Sequence, residues 1–391
     1  MRVTGVICEY NPFHNGHALH LRRARAQSQA DFVVCVMSGS FTQRGEAAAF
    51  DKWTRAGAAL ENGADAVFEL PTLHVLSPAD GFARAGVSLL RDLGVVTHLS
   101  FGVEPEALAD LSRLAALTGH ESPQVRQRIR QGLSAGQTLP RARAHAYAQE
   151  ASDPALAALL HQPNLTLALE YLHALQSLSC AMEPVPVARE GAGYHDALSS
   201  PLASATGVRA ALERGDWDAV SAAVPGADAL RSVPLCRPSS LDQALLYVLR
   251  TATPDVLRAV RGMDEGLEHR LIAAAQTCAT RAGLLESVKA KRYTHARLSR
   301  LLACVLLQIP QSLYAAHPLP AYARLLGMRR DAAALMREIN QHARIPIVNR
   351  PGRARIAQSP LFALDVRATD VRALALGQPA RQDLTHPPVL L

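Results

Sequence analysis

Two histidines three residues apart, His14 and His17, stand in the run Asn11-Pro12-Phe13-His14-Asn15-Gly16-His17. Pro12 ends an apolar run, Gly16 permits close backbone approach, and the helix predicted to follow opens with unsatisfied N–H groups and a positive dipole end. Residues three apart on a first helical turn share a face, so both imidazoles can point at one anion. Donors so placed stabilise charge that grows on a phosphoryl group in a transition state. The competing reading is an ordinary turn with two histidines; its position directly after the first predicted strand favours the phosphate site.

A second group is Ser204-Ala205-Thr206-Gly207-Val208-Arg209. Hydroxyls at a helix start cap its N–H groups or bind phosphate, and a guanidinium one turn on forks to phosphate oxygens. Equally, the segment reads as a plain N-cap with a surface arginine. Cations gather in two further places. Arg44, Lys52 and Arg55 flank the second strand-to-helix loop, suited to polyphosphate or RNA, or else to a solvated helix start. Lys289, Lys291, Arg292, Arg297 and Arg300 are opposed locally only by Glu286. With Thr294 as N-cap, Leu298, Leu301, Leu302 and Val305 form one apolar stripe, which leaves Arg297 and Arg300 on the other face. Arg344 to Arg355 is a second basic stretch.

The elements that must position these groups alternate in type. Strands are predicted at Val3 to Glu9, Phe32 to Met37, Ala66 to Leu70 and His98 to Phe101. Helices are predicted at Ala18 to Gln29, Lys52 to Asn62 and Gly81 to Leu93. Strands separated by helices imply a parallel α/β sheet, with ligands above the carboxyl ends of its strands. From Glu104 to about His161 the strand pattern gives way to helices, read as an insertion. A helix at Leu167 to Leu175, a strand at Pro184 to Arg189 and a helix at Thr206 to Glu213 resume the alternation. Beyond Pro225 the long segments are helical, with a β tail expected near Ile345 to Val348 and Phe362 to Val366. The expected fold is therefore an N-terminal Rossmann-like parallel-sheet α/β domain over residues 1–224, with a helical insertion at 105–161. A mostly α-helical C-terminal domain is expected over 225–391.

The chain has 391 residues, 49% apolar and 19% charged, with a net charge of +7. That composition excludes a disordered chain and supports sizeable cores. No apolar run reaches the ~18 residues of a membrane span, and Val3 to Cys8 reads as a core strand rather than part of a signal peptide, so a cytoplasmic location is expected. Six scattered cysteines without a CxxC pair exclude a zinc ribbon. Only three of the 41 basic residues are lysines, Lys52, Lys289 and Lys291.

The HxGH turn and the Ser/Thr-x-x-Arg helix start together resemble the nucleotidyltransferase superfamily. Further blocks narrow this: Glu9 to His17, Met37-Ser38-Gly39, Gln43-Arg44-Gly45-Glu46, Asp51-Lys52-Trp53-Thr54-Arg55, Phe101-Gly102, Gly191 to Asp196 and Lys291-Arg292-Tyr293-Thr294. In that order they resemble the bacterial tRNA(Met) cytidine acetate ligase family, from Met1 to about Gly327. Ser40, Val103 and Gly207 depart from its usual Asn, Ser and Ala.

The resemblance implies an enzyme that uses ATP to turn acetate into acetyl-adenylate. It then transfers the acetyl group to N4 of the wobble cytidine of elongator tRNA(Met), forming N4-acetylcytidine. His14 and His17 would be catalytic. ATP would contact Ile7, Cys8, Glu9, Tyr10, Asn11, Pro12, Phe13, Asn15, Gly16, Ala18, Leu19 and His20, along with Gly102, Asn164, Arg189, Ser204, Thr206 and Arg209. Asn164 alternatively reads as a helix N-cap, and Arg189 as a surface cation. Arg44, Lys52, Arg55, Lys289, Lys291, Arg292, Arg297 and Arg300 would face tRNA. Trp53, Tyr194 and His195 are read either as base-stacking groups or as core. Magnesium is expected to arrive with ATP, no protein metal site is expected, and no protein partner is evident. The alternatives are a small-molecule adenylyltransferase, which needs only the HxGH site, and a non-catalytic tRNA-binding protein, which needs only the basic surface.

Overall fold

The structure, a computed structural model, describes residues 1–151, 153–160, 162–190, 204–264, 266–291, 293–353 and 355–391. Val3–Cys8 (β1), Phe32–Ser38 (β2), Ala66–Leu70 (β3), His98–Val103 (β4) and Glu183–Ala188 (β5) pair in parallel in the order β5-β4-β1-β2-β3. Every residue of β3 is buried, as is all of β2 after Phe32. Such continuous apolar runs belong to a sheet covered on both faces. On one face Leu21 and Ala24 of α1 (Asn15–Ser28) and Trp53, Ala56 and Leu60 of α2 (Lys52–Glu61) pack on Val6, Cys35, Met37 and Val67. The other face is covered by the Ala79–Asp92 and Pro163–Ser177 helices.

The chain runs from β1 to β2 to β3 in one direction and then crosses to place β4 on the far side of β1. This reversal opens a crevice above the carboxyl ends of β1 and β4, where α/β sheets bind ligands. Helices from Pro105–Leu108 to Pro154–Leu159 make the expected insertion. Beyond residue 225 a second core forms among helices such as Asp242–Thr251, Leu267–Thr277 and His295–Leu306.

The sheet does not stop at residue 224. Ala323–Met328 (β6) pairs antiparallel with β3, while Ile347–Val348 (β7) and Val389–Leu390 (β8) lie parallel on β6. The expected strand at Ile345 to Val348 is the short β7. The expected strand at Phe362 to Val366 is instead part of the Pro360–Leu374 helix. Phe362, Leu364 and Val366 alternate as in a strand, but Ser359 and Pro360 start a helix whose buried face is Leu361, Leu364, Asp365, Ala368 and Arg372. β6 was unforeseen because Ala323-Arg324-Leu325-Leu326 carries no β-branched residue.

No helix among the described residues is long and apolar enough to cross a membrane.

Candidate active site

β1 ends beneath the crevice, and the turn Tyr10 to His14 delivers the chain into α1. His14 is the N-cap: its backbone is extended and its Nδ1 accepts the Gly16 N–H at 3.1 Å. The His17 Nδ1 accepts the His14 N–H at 3.3 Å, completing a reciprocal capping box built from two imidazoles. Their rings stack with centroids 3.6 Å apart, and Tyr10 and Phe13 flank His17 at 4.8 and 5.6 Å.

Backbone N–H groups can only donate, so each Nδ1 is an acceptor and each neutral ring carries its proton on Nε2. The charge state agrees. Burial, reinforced by the Arg189 and Arg209 charges, pushes His14 down to about 4. Burial and then the His14, His20 and Arg189 charges push His17 well below its ordinary value. His20, pushed down to about 4 by burial and Arg189, meets the Ser100 hydroxyl of β4 at 3.1 Å. At neutral pH the motif therefore presents neutral Nε2–H donors beside a helix N-terminus.

Several expected site residues converge here. Arg209 donates to the Asn11 carbonyl at 2.8 Å and to the Thr206 hydroxyl at 3.2 Å, so it is not a stray surface cation. Ser204 caps its helix by accepting the Gly207 N–H at 3.2 Å. Asn15 donates to the Ala222 carbonyl at 2.9 Å, tying α1 to the following helical segment. Gly102 lies near the end of β4, where a methyl group would come within 3.2 Å of the Arg189 stem. Glu9, pushed up by burial, accepts from the Gln43 N–H at 2.6 Å and the Ser38 hydroxyl at 3.1 Å, fixing the loop after β2. Asn164 falls at the second position of a helix whose N-cap is Gln162, which corrects its N-cap reading. The Asn164 side chain, Tyr194, His195 and Arg292 lie outside the described residues.

Two expected RNA contacts are corrected. Lys52 has no exposed surface: its Nζ lies 2.6 Å from carboxylate oxygens of both Glu69 and Asp383. Arg324 joins the same carboxylates. Burial and the neighbouring Arg324 charge bring Lys52 down to about 8. Arg55 is 1% exposed and donates to the Phe50, Glu9, Ser38 and Gly39 carbonyls. Neither can reach a ligand: Arg55 holds the loop between β2 and α2, and Lys52 ties the start of α2 to β3 and to Asp383. Trp53 is likewise core, stacked on His386 with centroids 4.1 Å apart.

Of the remaining cations, Arg44, Lys289 and Lys291 are exposed, while Arg297 and Arg300 are half-buried, and burial lowers the Arg300 guanidinium from its ordinary value. Lys289 and Lys291 are exposed, with Glu286 3.6 Å from Lys289. Thr294 caps the His295–Leu306 helix as expected, accepting the Arg297 N–H at 3.2 Å. Arg297 has a partner the local sequence did not show, Asp264 at 2.6 Å, and lies over the Tyr293 ring. Arg44 is exposed on the loop after β2, and its carbonyl accepts from the Ser299 hydroxyl. Beside it, a methyl group at Gly45 would lie 2.5 Å from the Ser299 carbonyl, so loop and helix touch backbone to backbone. The same loop is gripped from a third side by Arg372, which donates to the Ala48 and Ala49 carbonyls at 2.9 and 3.0 Å. Sequence reasoning passed over Glu69, Arg324, Arg372 and Asp383 because their partners are distant in the chain.

Among the described residues, no three His, Cys, Asp or Glu side chains converge as a metal site. What the crevice offers an anion is imidazole N–H, backbone N–H and guanidinium.

A parallel sheet that delivers an HxGH turn onto a helix N-terminus at its switch point defines a nucleotidyl transferase. In keeping with this, the family described as HIGH Nucleotidyl Transferase matches residues 1–386. Two curated proteins named tRNA(Met) cytidine acetate ligase are each 34% identical to the chain and match all of it. They come from Syntrophomonas wolfei and Caldanaerobacter subterraneus, and 99% and 100% of their own lengths are covered. Thermotoga maritima TmcAL, in a crystal structure bound with alpha-thio ATP, superposes with a TM-score of 0.90 at 29% identity, with all of both chains covered. Its apo form gives 0.93 at 28% identity. The chain belongs to the tRNA(Met) cytidine acetate ligase family.

Proposed function

We propose that this chain activates acetate with ATP and transfers the acetyl group to N4 of the wobble cytidine of elongator tRNA(Met). The observation that carries this is the pair of neutral imidazoles whose Nδ1 atoms are spent on backbone N–H groups, which leaves two Nε2–H donors at the sheet's switch point. The names of the relatives supply the substrates. ATP lies along Ile7 to His20, against Gly102, Asn164, Arg189 and the Ser204, Thr206 and Arg209 segment, and its phosphates carry the magnesium. This fits a site without a carboxylate cage, since Mg commonly binds through substrate phosphates and one or two carboxylates.

In the first step an acetate oxygen bonds to the α-phosphorus and the bond to the departing pyrophosphate breaks. His14, His17 and the N-terminus of α1 meet the growing charge without needing to rearrange. In the second step N4 of cytidine attacks the acetyl carbonyl and AMP leaves; alignment of the two reactants supplies much of the acceleration. Residues 1–224 do the chemistry and residues 225–391 hold the RNA through Lys289, Lys291, Arg292, Arg297 and Arg300, with Arg44 reaching across from the loop after β2. Such a reaction suits a cytoplasmic protein. Purified protein, ATP, labelled acetate and elongator tRNA(Met) test the proposal: label is expected on the tRNA, together with acetate-dependent pyrophosphate exchange. The absence of both would refute it.

A further inference from the structure

Beside the HxGH turn the surface folds into a groove that shares Arg209 with the proposed ATP site but whose carboxylates and Arg237 no step above uses. Glu46, Ala49, Arg209, Glu213, Cys236 and Arg237 are among its lining residues. Two hydrogen bonds join it to the turn: Arg209 to the Asn11 carbonyl at 2.8 Å, and the Ala49 N–H to the Asn11 Oδ1 at 2.7 Å. Its floor is fixed, because Cys236 is buried and its N–H bonds the Ala49 carbonyl at 2.8 Å. A second groove shares Glu46 and Arg237 and runs on past Arg281 to Leu302 of the His295–Leu306 helix, which carries Arg297 and Arg300. Among the described residues, neither the Glu46 nor the Glu213 carboxylate has an ion-pair partner within 4 Å.

We infer that the mouth of the groove beside the HxGH turn meets the Watson–Crick edge of the acceptor base, with Glu46 taking a hydrogen bond from the exocyclic amine of cytosine and Arg237 donating to its ring acceptors. The inference rests on the proposed function and assigns its second substrate a place. Cytosine presents an N4 amine donor next to the N3 and O2 acceptors, and a carboxylate beside a guanidinium complements that edge. Uracil carries a carbonyl at the amine position, which a carboxylate repels. An unpaired anticodon base can be splayed into such a groove while its backbone follows the cationic helix. In the transfer step the N4 lone pair bonds to the acetyl carbon and the bond to AMP breaks with its electron pair on the phosphate. One N4 proton is lost, and the Glu46 carboxylate accepts it.

The test uses the full chain with acetate, ATP and elongator tRNA(Met) transcripts carrying cytidine or uridine at the wobble position. Glu46→Gln is expected to keep acetate-dependent pyrophosphate exchange. Its acetyl transfer should fall by about tenfold or more, and its preference for cytidine-bearing tRNA should weaken, because an amide also donates to the uracil carbonyl. Arg237→Ala, at an exposed side chain, is expected to lower transfer while sparing exchange. Transfer at the wild-type rate in both variants would overturn the inference, and so would exchange and transfer falling together in Glu46→Gln. If the wild-type protein shows neither exchange nor labelled tRNA, the proposed function itself fails, a result distinct from either.

Discussion

Two polar assemblies flank the loop between β2 and α2, and they spend their hydrogen bonds differently. At the HxGH turn, His14 and His17 use Nδ1 to finish the first turn of α1, and among the described residues their Nε2–H groups stay unspent. In the second assembly Lys52 and Arg324 are wholly consumed by Glu69 and Asp383 in a place water does not reach. Both contain charged or chargeable groups, and both gather residues from a helix and a strand end. A binding site is marked by donors left over after structure has been served, whereas a structural cluster leaves none. Burial acts in both, driving the imidazoles neutral and bringing the lysine down to about 8 against the opposing pull of its carboxylate neighbours.

The sharpest way to break this contrast is to remove the unspent donor and keep the spent acceptor. Asparagine is among the best N-cap residues, so His14→Asn preserves the cap and deletes Nε2–H. Acetate-dependent pyrophosphate exchange should fall about 10²–10³-fold, with an unchanged melting temperature. A variant that keeps wild-type exchange would show that the ring serves only as a cap.

The converse substitution is Lys52→Ala. It leaves Arg324 alone to face two buried carboxylates and should cost about 3–5 kcal/mol, read as a lowered denaturation midpoint. The salt dependence of tRNA binding should not change. A drop in that salt slope would return Lys52 to the RNA surface.

Acid separates the assemblies next. His14 and His20 are held at about 4 in the folded chain, below their ordinary value near 6.5, so between those pH values the unfolded chain binds more protons. Stability should therefore be retained above pH 6.5 and fall steadily as pH drops toward 4. Denaturant titrations at several pH values check this, and His14→Asn should make the slope shallower. The smallest expected effect is at the exposed lysines. Lys289→Ala with Lys291→Ala should weaken tRNA binding and reduce the salt slope by about 1–2, leaving exchange untouched.

How far the sequence alone reaches follows the same division. Signals that act within a few residues are legible: the HxGH turn after β1, the Ser204 and Thr294 caps and the β–α alternation all rest on neighbours in the chain. The buried cluster is not legible, because Lys52 finds its partners at residues 69 and 383. A lone lysine at a helix start looks the same whether water or a carboxylate covers it. Arg55 misleads for the same reason, its four carbonyl partners being visible only once β1, β2 and the loop are assembled. β6 is silent in sequence because it carries no β-branched residue, and β8 because a two-residue segment takes its conformation from the strand it joins. The Asp264 partner of Arg297 also lies too far upstream to read from the basic stretch itself.

The position of Asp383 has a consequence for how the protein is made. Arg324 hydrogen-bonds the carbonyl of Asp383, 59 residues further along the chain. At roughly 5–20 residues per second of synthesis, about 3–12 s separate the two. During that interval the nascent chain holds Lys52 and Arg324 with Glu69 alone as their shared counter-charge. The order of translation thus completes that buried cluster last, and a message truncated before codon 383 would yield a chain without its second carboxylate and without β8.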